Sequence, residues 1–165
     1  MKSIFKLSLA ILLTASLFSC SKNSDVQEEM TMQTRKITIP GDKQIEIEIL
    51  EEINTYRISK GLSAFGKLNI IKSQTYSHTN HMVASEAISH ENFNSRSAFL
   101  KEQASAMKVG ENVAAGFTDA KSLVEGWLNS ESHKRNIEGS YTHFDISAEQ
   151  NENGVWYYTN IFIRK

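Results

Sequence analysis

Apolar residues recur at three- or four-residue intervals in several parts of the chain, which is the spacing of helices that bury one face. This pattern covers residues 43–60, where Gly61 follows as a C-terminal cap, and residues 68–87. A shorter helix is predicted over residues 96–107, and Thr118 or Asp119 caps another that turns Trp127 inward. Each of these helices needs an apolar layer to pack against.

The last third of the chain has the alternating pattern of strands. The segments FDISAEQ and VWYYTNIFIRK flank NENG, a turn sequence, and predict an antiparallel hairpin. RKITIP, residues 35–40, predicts a further short strand. Both faces of the last strand are largely apolar, so it belongs in a middle layer. We therefore expect an α+β fold, a three-layer α-β-α sandwich around a small, mainly antiparallel sheet.

The N-terminal residues are typical of bacterial export. Lys2 and Lys6 precede a short apolar core, and LFSC resembles a lipobox, the site where lipoproteins are cut before a cysteine that is then lipidated. Residues 1–19 are thus predicted to be a signal peptide and Cys20 the lipidated residue. Ordinary secretion, with a free thiol on Cys20, is the alternative. The polar residues 20–34 are predicted to be a flexible tether.

Composition restricts what the remaining chain can be. Cys20 is the single cysteine, so an intramolecular disulfide is excluded and packing must stabilise the fold. Without residues 1–19 the chain has 16 basic and 19 acidic residues, a formal charge of −3 that does not favour nucleic acid. Residues 35–165 have the length of one domain.

Glu111 is the first candidate for chemistry. It lies in VGENVAAGF, and Lys and Arg are absent from Val109 to Thr118, so the composition predicts that its carboxylate is buried. A buried carboxylate needs partners. It either accepts hydrogen bonds from backbone amides and braces a loop between two helices, or belongs to a site, and the two roles are compatible.

Among the histidines of the chain, His90 and His133 lie at predicted helix ends, where distant segments can converge. With Glu111 they form the His2Glu set that suits zinc with an open fourth position. A metal-dependent hydrolase, in which the metal activates water, is one interpretation. Covalent catalysis is disfavoured, since Ser130 and Ser132 adjoin His133 but lie in no GxSxG elbow. Histidines bonded to backbone carbonyls, with no further role, are the plainer alternative.

Six motifs together resemble the CAP superfamily, which comprises the cysteine-rich secretory, antigen 5 and pathogenesis-related 1 proteins with their SCP-like domain. In chain order they are EINTYRISKGL, SHTNHM, ISHENF, GENVAAG, WLNSESHKRNIE and WYYTNIF, over residues 49–162. The resemblance implies an α-β-α sandwich over residues 35–165 and a central cleft lined by His90, Glu111 and His133, where some relatives hold a divalent metal.

Two departures from the family pattern bear on that cleft. Ser130 occupies the position where many animal and plant relatives have a second acidic residue, and the disulfides of those relatives are missing. The chain resembles the shorter bacterial lipoprotein branch.

The resulting hypothesis is a protein anchored by Cys20 to a bacterial membrane, periplasmic or surface-exposed, that acts as a binding or interaction module. Its cleft is expected to hold a divalent metal such as zinc, or a small ligand, with lipids and proteins as further candidate partners. The alternatives are the metal-dependent hydrolase and a structural envelope protein whose His and Glu cluster only stabilises the fold.

Overall fold

The helices predicted from apolar spacing are present in the computed structural model, which describes residues 38–165. They are α1 (Gln44–Ser59), α2 (Asn69–Ser85), α3 (Phe93–Ala104) and α4 (Ala120–Leu128). Asp119 caps α4 by accepting a hydrogen bond from the Ser122 amide at 2.8 Å. α3 begins and ends three residues earlier than predicted. Another helix, α5 (Glu131–Ile137), was not predicted, because Ile137 alone among its residues is buried and the segment has no apolar period.

The described residues form a four-stranded sheet in the order β1-β3-β4-β2. Its strands are β1 (Gly66–Lys67), β2 (Lys108–Ala115), β3 (His143–Gln150) and β4 (Trp156–Arg164). The β3-β4 hairpin confirms the prediction, and β1, parallel to β3, is the exception in a mainly antiparallel sheet. The segment around Glu111 is strand β2 and not the loop considered above. Residues 35–40 were predicted to form a strand. Residues 38–40 belong to no strand of the sheet, and residues 35–37 lie outside the described residues.

β4 has apolar side chains on both faces and lies between two helical layers. Tyr158 and Phe162 pack with α1 and α4 on one face. Ile161 and Ile163 pack with α2 and α3 on the other. The three-layer α-β-α sandwich is confirmed. Because each face of the last strand packs against a helical layer, apolar residues lie on both of its faces.

A buried ion pair lies along the border of β3 that β1 leaves uncovered. Lys72 of α2 and Glu46 of α1 are 2.6 Å apart. The Lys72 ammonium donates to the Ile146 carbonyl at 2.7 Å, and Glu46 accepts from the Ala148 amide at 2.8 Å. The pair thus takes the donor and acceptor places that a neighbouring strand would fill.

The signal peptide, the lipidated Cys20 and the tether all lie outside the described residues. None of the helices between residues 38 and 165 combines the length and the apolar composition needed to span a membrane.

Candidate functional site

Strand β2 presents neighbouring residues to opposite faces of the sheet. Val113 packs with Met82 of α2, whereas Ala114 packs in the core beneath α1 and α4. By the same alternation Glu111 faces α3 and Asn112 faces α5. Since β2 is the last strand in the sheet order, groups from both helical layers can approach each other around it.

The Glu111 carboxylate is buried, as its composition predicted, and Arg96 of α3 is its main partner. The Glu111 side chain is 1% exposed. Arg96 donates from Nε to Oε2 and from Nη2 to Oε1, both at 2.8 Å, so the contact is bidentate. A third nitrogen of Arg96 donates to the Glu91 carbonyl at 2.7 Å. The charge of the carboxylate is therefore balanced inside the protein.

His90 is held by the same carboxylate but remains open to solvent. Its Nδ1 lies 2.8 Å from Glu111 Oε1, while 54% of its side chain is exposed. A carboxylate only accepts hydrogen bonds, so Nδ1 carries the proton and, in the neutral ring, Nε2 is an acceptor. Nε2 makes no hydrogen bond within residues 38–165. Glu111 thus orients the imidazole and leaves Nε2 for a ligand.

The loop that carries His90, residues 86–92, is fastened to α2 and α3 by side chains. His78, which is 3% exposed, contacts the Ser89 carbonyl through Nε2 at 2.8 Å. His81 Nε2 is 3.0 Å from the Glu91 carboxylate. Burial lowers the pKa of His78, so its ring is neutral near pH 7 and Nε2 donates to the carbonyl.

His133 lies on α5, on the other face of the sheet, and its backbone is held next to β2. Asn112 donates to the His133 carbonyl at 3.2 Å. Asn136 donates to the Glu111 carbonyl at 3.1 Å and to Asn112 Oδ1 at 2.9 Å, which fixes α5 to β2. Burial, and then the charge of His90, lowers the pKa of His133.

The arrangement differs from the His2Glu zinc set considered from the sequence. Within the described part of the chain, no three His, Cys, Asp or Glu side chains lie close enough to hold one ion. Both Glu111 oxygens accept hydrogen bonds from Arg96, and a guanidinium at that distance disfavours a cation on the carboxylate. The three residues do not fit a site in which all of them ligate. Metal binding at the cleft of His90, Glu111 and His133 stays a prediction, with the two imidazoles as the available donors.

Arg96 is the site residue that sequence reasoning missed. The sequence analysis identified it only as the first residue of a predicted helix. The hydroxyls of Ser130 and Ser132, the disfavoured nucleophiles, lie 3.2 Å from each other. A positive residue inside a helix gives no local sign of its partner. The one available signal was that the buried carboxylate of Glu111 needed a positively charged partner that the sequence did not identify.

The chain is similar to known proteins over most of its described length. Residues 50–162 match the CAP domain of the Cysteine-rich secretory protein family. A relative, the uncharacterized membrane protein YlbC of Bacillus subtilis, is 30% identical over 135 residues. That match covers 79% of this chain and 36% of YlbC, so the chain spans about a third of that relative's length.

Solved structures agree in fold. An outer surface protein of Borrelia burgdorferi matches with a TM-score of 0.67 and 18% identity, over 76% of this chain and 96% of that one. A cysteine-rich secretory protein of Staphylococcus aureus has a TM-score of 0.64 and 21% identity, with coverage of 78% and 40%. An extracellular SCP-domain protein of Bacillus anthracis has a TM-score of 0.63 and 24% identity, and the match covers 73% of this chain and 40% of that one. The chain belongs to the Cysteine-rich secretory protein family.

Proposed function

We propose that the protein is exported, anchored to the bacterial cell envelope through a lipid on Cys20, and acts as a binding module through the cleft of His90, Glu111 and His133. The observation that carries the proposal is that His90 is held in a fixed orientation and is also open to solvent. A buried carboxylate, which a buried guanidinium holds in turn, fixes its ring, yet more than half of its side chain is exposed. A histidine with a purely structural role does not need this combination.

The cellular location is supported by the relatives and by the N-terminal pattern. The relatives named above are an outer surface protein, an extracellular protein and a membrane protein. The LFSC segment, followed by a polar tether, suits a domain held at a membrane surface. The membrane is therefore a proposed partner through the lipid, and the cleft remains available for a second one.

The chemistry of the cleft favours binding over turnover. In many metal sites a carboxylate accepts a hydrogen bond from the ring nitrogen of histidine that does not bind the metal, and Glu111 contacts His90 in this way. The two imidazoles are then the donors for a divalent ion. In that arrangement His90 and His133 would hold the ion and Glu111 would orient His90. A small organic ligand would instead donate a hydrogen bond to Nε2 of His90. Neither mode requires a nucleophile.

Thermal unfolding in zinc tests the proposal. The protein is stripped with a chelator, titrated with zinc chloride, and compared with His90→Ala and His133→Ala. Zinc at 100 times its Kd should stabilise the folded state by about 2.7 kcal/mol. We expect this gain in the wild type and its loss in both variants. His143→Ala is the matched control, because His143 lies at the β1 side of the sheet, away from β2.

The alternatives give different results. A metal-dependent hydrolase would show chelator-sensitive turnover that both alanine variants abolish. If the His and Glu cluster only stabilises the fold, His90→Ala should have a lower Tm. The wild type and the three alanine variants should then respond to zinc in the same way. That second pattern would contradict the cleft as a metal-binding site.

A further inference from the structure

A groove between α2 and α3 lies beside the cleft but contains none of its three residues. Its volume is about 410 Å³, within the range of small-molecule sites. The lining side chains come from both helices and from the end of the loop that carries His90, and they include Gln74, Ser77, His78, Asn92 and Phe99. The groove adjoins the cleft, because Arg96, the partner of Glu111, also lines it.

The lining contains an imidazole nitrogen that has no hydrogen-bond partner among the described residues. His78 is 97% buried, and its Nε2 is used by the Ser89 carbonyl. Its other nitrogen, Nδ1, makes no hydrogen bond to any residue between 38 and 165. In the neutral ring Nδ1 is an acceptor, so it is suited to a ligand that donates, such as a hydroxyl group.

The other lining groups also suit a neutral ligand. Of the described residues that line the groove, none is a carboxylate. The one fixed positive charge, on Arg96, is neutralised by Glu111. Gln74, Ser77 and Asn92 can each donate and accept, which matches a molecule with several hydroxyl groups.

Phe99 adds an apolar surface on one side. Its side chain is 37% exposed and lines the groove. An aromatic face beside amide, hydroxyl and imidazole groups offers a surface for the C–H face of a sugar ring and partners for its hydroxyls. A volume of about 410 Å³ has room for a monosaccharide or a disaccharide.

We infer that the groove between α2 and α3 is a saccharide-binding site, in which Phe99 packs on the ring, Nδ1 of His78 accepts from a hydroxyl, and Gln74 completes the polar contacts. The site adjoins the cleft at His90 and shares Arg96 with it.

NMR titration of the amide resonances tests the inference, with N-acetylglucosamine, glucose and short oligomers of N-acetylglucosamine as probes. We expect shifts confined to the groove, with a Kd of about 1 mM, as suits a shallow polar site. Phe99→Ala and Gln74→Ala should each weaken binding about tenfold. His78→Gln retains a donor for Ser89 and serves as a third variant if it folds. Equal affinity for monomers and oligomers indicates a single sugar as the ligand; affinity that rises with length indicates a glycan strand.

A control separates this site from other surfaces. Ile58→Ala removes an exposed apolar side chain on α1, on the opposite layer, and should leave the titration unchanged. The inference is overturned if about 20 mM sugar shifts no groove resonance, or if Ile58→Ala weakens binding as much as Phe99→Ala does.

Discussion

At the scale of single residues, the site depends on Arg96 as much as on the residues that the motifs identify. Glu111 is buried among small and apolar neighbours, and ionisation there is unfavourable unless a positive partner is close. The bidentate contact with Arg96 supplies that partner and also fixes the carboxylate that orients His90. Arg96 therefore determines the geometry of an exposed histidine that it does not itself contact.

Arg96→Gln should lower the free energy of unfolding by about 3 kcal/mol, because it leaves a buried carboxylate without its counter-charge. Urea unfolding measures the loss. Arg135→Gln is the matched control, since its contact with Glu131 is exposed, and we expect a change below about 0.5 kcal/mol. Equal losses in the two variants would show that the buried pair has no special role.

At the scale of elements, the site depends on how closely β2 approaches α5. Side chains fasten both neighbouring helices to this strand: Trp127 of α4 donates to the Val113 carbonyl at 3.3 Å, and Asn136 of α5 to the Glu111 carbonyl. Gly110 permits the approach. A Cβ at that position would lie 2.8 Å from Asn136 Oδ1 and would also meet the ring of Tyr141.

Gly110→Ala should therefore separate α5 from β2. We expect a loss of about 1–3 kcal/mol in the free energy of unfolding, from overpacking, and a change in the NMR resonances of His133. Gly41→Ala is the control, because a Cβ on Gly41 meets nothing within 4 Å. If Gly110→Ala leaves both stability and the His133 resonances at their wild-type values, the close approach does not position α5.

Periodicity predicted the elements with a simple pattern and missed the others for identifiable reasons. The hairpin and the helices α1 and α2 have regular apolar spacing. β2 was missed because small or polar residues, Gly110 and Asn112 among them, occupy the face that α5 covers, so no apolar alternation is visible. The residue types of the cleft were predicted, but Arg96 was not, since the approach of α3 to β2 is a tertiary contact that local spacing does not encode.

At the scale of the whole molecule, buried ionisable groups link stability to pH in opposite directions. Burial raises the pKa of Asp145 from 3.8 to about 6, and its Oδ2 has no hydrogen-bond partner in the described structure. The folded state therefore binds this proton more tightly than the unfolded state, and acidification from pH 6 to 4 is stabilising. The lowered pKa values of His78 and His133 act the other way, because protonation below about pH 6.5 favours the unfolded state.

Asp145→Asn isolates the carboxylate contribution. It removes the ionised form that burial disfavours, although it also removes the attraction to Lys67 and Lys72. We expect a gain of about 1–3 kcal/mol at pH 7 that shrinks as the pH falls towards 4, measured by urea unfolding across that range. A gain that is constant with pH would show that the titration of Asp145 is not its source.

The ion pair of Lys72 and Glu46 has a consequence for the order of folding. Its two members and the β3 groups that they contact come from distant parts of the chain, α1, α2 and the C-terminal hairpin. The hairpin can form from local contacts, but the border of β3 is closed only after both helices have docked. A chain in which the helices have not docked would leave these β3 backbone groups unpaired, and another chain could bind them. The docking of α1 and α2 is therefore the step that protects the border of β3 from aggregation.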